Sequence, residues 1–78
     1  MSKANSYKVP PQDIEAERFI LGGILLEPEA ISKLIEILTH EDFYHSAHQL
    51  IYRCMLELYE KNEPQDVITL TNILKRAR

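Results

Sequence analysis

The stretch Ser46–Lys61, SAHQLIYRCMLELYEK, decides the fold. Its apolar residues Ala47, Leu50, Ile51, Cys54, Met55, Leu58 and Tyr59 recur in alternating steps of three and one. That spacing is one face of a helix of about 3.6 residues per turn. Ser46 and Gln49 stand three apart at its start, the sequence form of a capping box. At about 100° per residue, Gln49, Arg53, Glu57 and Glu60 crowd into an arc of roughly 80°. Tyr52 and Leu56 lie outside the main stripe and widen the apolar side, so the helix is covered from more than one direction. It reads as the central helix of a small all-α domain. His48 projects into the apolar sector, beside Met55, Tyr59 and Tyr52.

Working outward, the 78 residues make one small domain at most. A hydrophobic content of 45% is that of a globular chain, and the single cysteine excludes an internal disulfide framework. No run approaches the ~20 apolar residues that span a bilayer, and no signal-peptide core opens the chain. The expected location is the cytoplasm. The net charge of −3 is unevenly spread. Residues 1–26 balance; residues 27–66 carry nine acids against Lys33, Arg53 and Lys61, a net of −6; the end adds Lys75, Arg76 and Arg78. Nucleic acid demands a basic stripe that neutralises phosphates. Three charges at a chain end instead suit a helix C-terminus, and direct nucleic-acid binding is not expected.

Residues 1–12 read as a flexible arm, because Val9-Pro10-Pro11 is held out of helical geometry. A first helix over 13–26 opens on Asp13 as N-cap, with Glu15 and Glu17 in its first turn complementing the dipole. Gly22 and Gly23 fall inside it, and close backbone packing against another helix is the structural reason to expect. A second helix over 28–38 starts on Pro28 and carries Ala30, Ile31, Leu34, Ile35 and Leu38 as its apolar stripe. Thr39-His40-Glu41-Asp42 caps one short turn over 40–44, in which Phe43 and Tyr44 anchor the connection to the core. The central helix over 46–61 closes on Asn62, which tolerates left-handed geometry. Val67-Ile68 is briefly extended, and Thr69 caps a last helix over 69–78. The whole is a small orthogonal bundle of about four helices. Its last helix reaches Arg78 without a stop signal, so the domain over 13–78 is expected to continue further.

Chemistry is mostly excluded. The only glycines are adjacent, so no phosphate-cradling loop of either common spacing exists here. Cys54 lies in the apolar stripe as a small core residue. His40, Glu41, Asp42, His45 and His48 are metal-ligating types, but Ser46 as cap leaves His45 outside the helix and His48 points inward. A histidine tying the short turn to the central helix explains them better. No catalytic, cofactor or metal residue is expected.

Val9-Pro10-Pro11, Ile14-Glu15-Ala16-Glu17 and Leu21-Gly22-Gly23 resemble the opening of the DnaB-type replicative helicases. So do Asp42-Phe43-Tyr44, Ala47-His48, Ile51-Tyr52, and Glu63-Pro64 with Asp66 and Thr69-Leu70. The blocks keep order and spacing from Val9 to about Lys75. The chain departs from the family pattern at Arg18, Phe19, His45 and Ser46, which bear on partner specificity rather than on the fold. The resemblance implies the N-terminal collar domain of such a helicase, lacking most of the helical hairpin that pairs protomers. The ATPase domain, with its ATP and Mg, is not in these residues. Implied partners are other copies in a hexamer, primase and a helicase loader, within nucleoid-associated replication machinery. An interface draws on aromatic and apolar anchors in a polar rim, which makes Phe19, Tyr52, Leu56 and Tyr59 the candidates. Gly22, Gly23, Phe43, His48 and Cys54 are structural. Two other classes fit the same residues: a stand-alone helical adaptor or antagonist of helicase assembly, and a small metal- or nucleic-acid-binding domain.

Overall fold

The computed structural model describes residues 12–77. They form a small all-α bundle with no strand among them: α1 (Ile14–Leu26), α2 (Ile31–Leu34), α3 (Ser46–Glu60) and α4 (Val67–Ala77). The expected arm, apart from Gln12, and Arg78 lie outside the described residues.

Local chemistry sets each boundary. Asp13 caps α1, its Oδ1 accepting from the Ala16 amide at 3.0 Å, after a left-handed Gln12 with φ 59°. The continuous helix expected over 28–38 is not what forms. A 3-10 turn over Pro28–Ala30 leads into the single turn of α2, and the chain then loosens through residues 35–37. β-Branched Ile31, Ile35 and Ile37 restrict side-chain rotamers in a helix. Of this segment only Ile31 and Leu38 are fully buried, with Leu34 packed against the core from its edge, too little burial to hold a longer helix.

The short turn is a 3-10 turn, His40–Asp42, closed by a capping box between Thr39 and Asp42. The Thr39 amide donates to Asp42 Oδ2 at 2.8 Å. Phe43 then drops into the core, while Tyr44, expected to anchor beside it, is 61% exposed. Residues i and i+1 leave an extended backbone on opposite sides, so both cannot be buried. The cap of α3 is His45 rather than Ser46: its Nδ1 accepts from the Ala47 amide at 3.1 Å. Gln49 is therefore not half of a capping box. It donates instead to the Phe43 carbonyl at 2.7 Å, fastening the start of α3 to the turn.

At its other end α3 closes as expected on Asn62, with φ 58°. The Asn62 amide donates to the Tyr59 carbonyl at 3.1 Å and the Glu63 amide to the Leu58 carbonyl at 2.9 Å, the bond pair of a Schellman motif. Val67 and Ile68 are not extended; they are the first turn of α4, and Asp66 rather than Thr69 is the cap. The Thr69 amide reaches Asp66 Oδ1 at 2.8 Å, which holds that carboxyl below its ordinary value. A β-branched pair reads as strand only where its own side chains are buried, and both Val67 and Ile68 face solvent.

The core draws Leu21 and Ile24 from α1, Ile31 and Leu38 from the second segment, and Leu70 and Ile73 from α4. They close around Phe43 and Tyr52, Cys54, Met55 and Leu58 of α3. Phe43 and Tyr52 pack ring to ring, centroids 5.1 Å apart at 39°. The buried Tyr52 hydroxyl donates to the Leu38 carbonyl at 3.1 Å. Burial, aided by the Asp42 charge, pushes that phenol up to about 12, so it remains a donor.

Tyr52→Phe is expected to lower stability by about 1–2 kcal/mol, because the buried Leu38 carbonyl loses its partner. Urea unfolding with an unchanged m-value and a lower midpoint is the predicted result; an unaltered midpoint would show that bond to be dispensable.

Candidate protein-interaction site

The two faces of α1 do different work. Its inner face holds a buried carboxylate: Glu17, expected as a first-turn acid complementing the dipole, is 0% exposed. Both oxygens are engaged. The Tyr44 amide donates to Oε2, the His45 amide donates to Oε1 at 3.3 Å, and His48 Nδ1 lies 2.8 Å from Oε1. These donors gather at the N-terminus of α3, where unpaired amides and the helix dipole favour an anion. Burial raises the Glu17 carboxyl, but the His48 bond, the two amides and the His48 charge together outweigh it, and the net shift is downward.

His48 therefore ties α1 to α3, rather than the short turn to α3. Its ring lies 5.0 Å from that of His45. No cluster of three metal-ligating side chains occurs among the described residues. The sequence did carry a signal for Glu17: it stands at i−4 from Leu21 and i−7 from Ile24, on the buried stripe.

The outer face of α1 is apolar and uncovered by the described residues. Phe19 is 83% exposed and Leu26 85%. Gly22 and Gly23 lie between them, and 19, 22, 23 and 26 share one helical face. A Cβ built on either glycine meets nothing within 4 Å. The expectation that these glycines mark close packing inside this chain is corrected: no described neighbour comes near. Glu15, Arg18 and Glu27 edge the face, with Arg18 and Glu15 3.4 Å apart.

The other expected anchors separate. Tyr52 is fully buried and has no surface to give a partner. Leu56 is partly buried against the core. Tyr59 is 41% exposed near the end of α3. Leu26 was missed because it reads as one more residue of an apolar helix; its spacing from Phe19 and the glycines was the available clue. Phe43 is buried, and so is Cys54, whose thiol burial pushes up. None of these groups forms a nucleophile–base pair.

Residues 9–78 match the family described as DnaB-like helicase N terminal domain. The chain is 48% identical over 70 residues to the replicative DNA helicase DnaB of Rhodothermus marinus, covering 90% of this chain and 7% of that protein. It is 46% identical over 71 residues to that of Geobacillus stearothermophilus, covering 91% and 16%. With the corresponding Nostoc protein it shares 51% over 69 residues, covering 88% and 8%. The chain thus spans 7 to 16% of the length of these relatives. No solved structure matches it.

Two outcomes follow for α1. Glu17 has a folded-state pKa below its unfolded one, so its contribution is complete above the unfolded value near ~4.3 and fades as pH falls through the folded value. Glu17→Gln should cost about 1–3 kcal/mol at pH 7 and flatten the acid limb of stability in urea titrations from pH 7 to 2. Parallel wild-type and variant limbs would contradict this. Gly22→Ala and Gly23→Ala should each raise the stability of the isolated chain by about 0.5–1 kcal/mol; thermal unfolding at low protein concentration reads the gain.

Proposed function

Because the chain belongs to the family of DnaB-like helicase N-terminal domains, we propose that it serves as the collar domain of a replicative DNA helicase, supporting hexamer assembly and docking primase or a helicase loader. In this reading the domain itself is not an enzyme. Its two adjacent glycines leave no phosphate-cradling loop, and ATP and Mg act in an ATPase domain outside these 78 residues. Its contribution is protein contact.

The observation that carries the docking role is the outer face of α1. Phe19 and Leu26 stand almost free of their own fold, separated by two glycines that let another backbone approach closely. Each glycine costs the helix about 1 kcal/mol relative to alanine, a cost that nothing within the described fold requires. Large apolar side chains around small residues, edged by charge, make the kind of surface on which binding energy concentrates.

The test is a titration of the isotope-labelled chain with the helicase-binding C-terminal domain of its own primase, followed by NMR shifts. Saturable perturbations centred on Phe19, Gly22, Gly23 and Leu26 are expected. Phe19→Ala should weaken the complex about tenfold or more. If the chain is folded and its spectrum does not change, this domain alone does not dock primase.

A further inference from the structure

A groove of about 490 Å³ opens between the turn that follows α1 and the connection from α3 to α4. Buried Ile31 and Gln65, half-exposed Tyr59 and exposed Glu29 and Glu63 line it. Gln65 is only 6% exposed. Its Nε2 donates to the Met55 carbonyl at 2.7 Å, which fixes the amide orientation and leaves Oε1 as the free end. That oxygen has no hydrogen-bond partner among the described residues. A buried acceptor left unpaired carries its full desolvation penalty, which a bound donor would remove.

The electrostatics point the same way. Among the described residues lining the groove there is no lysine, arginine or histidine. Ser32 does not supply a free donor, because its hydroxyl already donates to the Glu29 carbonyl at 3.0 Å. The groove therefore offers two carboxylates and an aromatic ring beside a buried, unpaired amide oxygen. Its lining at Asn62 and Glu63 is built before any ligand arrives: the Glu63 amide is tied to the Leu58 carbonyl and Asn62 is set in left-handed geometry. Such preorganisation reduces the ordering cost of binding.

We propose that this groove binds an arginine-bearing peptide segment of a partner protein. The guanidinium lies between Glu29 and Glu63 against the Tyr59 ring, where charge pairing and cation–π attraction act together. The segment lies beside the buried Gln65 amide, which is held in place by the Met55 carbonyl. The site uses none of the α1 residues and goes beyond the collar reading; it rests on that reading only in taking the ligand to be a protein segment.

The test uses the full chain with two small probes, Nα-acetyl-arginine N-methylamide and its neutral isostere, the citrulline compound. Amide NMR shifts should move at Tyr59, Asn62, Glu63 and the Gln65 side chain. The arginine compound should bind about tenfold more tightly than the citrulline one. The double variant Glu29→Gln, Glu63→Gln should reduce that ratio to near one without changing thermal unfolding. Equal shifts from both probes, or shifts elsewhere, would overturn the groove assignment. A lost arginine preference with primase-induced shifts intact at Phe19 and Leu26 overturns the groove alone. The converse pattern overturns the collar-docking reading alone.

Discussion

The negative charge of Glu17, enclosed at the start of α3, is the constraint around which the rest of this small domain is arranged. A carboxylate taken from water needs every lone pair answered, and here the answers come from three consecutive features of another segment: the Tyr44 amide, the His45 amide and the His48 ring. To deliver them, the chain must turn sharply after Phe43 and begin α3 at once. The turn is held by its own capping box and by the Gln49 side chain. Hydrophobic contacts alone permit many relative rotations of two helices. A satisfied buried charge accepts few, so the clamp sets how α1 lies on α3 while Leu21 and Ile24 supply the burial.

This arrangement explains which parts were readable from the sequence. Signals that act within one turn of chain were legible: the Asp13 cap, the Thr39–Asp42 box, the left-handed Asn62 and the apolar stripe of α3. Signals that depend on a distant partner were not. The position of Glu17 on the buried stripe was readable, but its partners, 27 to 31 positions away, were not. His45 shows the same problem in miniature, since Ser46 has the commoner capping side chain and only the geometry of the turn favours the imidazole. Val67-Ile68 reads as extended by β-propensity alone, whereas both side chains face solvent in the first turn of α4.

The exposure of the candidate anchors was half legible. Phe19 and Tyr59 were chosen as aromatic anchors on composition, and both are exposed. Tyr52 satisfied the same criterion, yet its hydroxyl finds a carbonyl inside the core. An aromatic residue with a polar tip suits either environment, so residue type alone could not separate them. The glycines read as marking the close approach of another helix, and no described residue makes that approach. Family membership and the fold fit one reading: a compact bundle whose internal requirements are met by one side of α1.

That last feature has an evolutionary consequence. Glu17, Leu21 and Ile24 hold α1 in place, whereas Phe19, Gly22, Gly23 and Leu26 carry almost none of the folding load. Under the docking role proposed for it, substitutions on the outer face alter what the helix recognises while the inner face keeps the domain intact. Partner choice and foldability are thus separable traits written on one helix of thirteen residues. A lineage can exchange one partner for another by changing this surface without first passing through an unfolded ancestor.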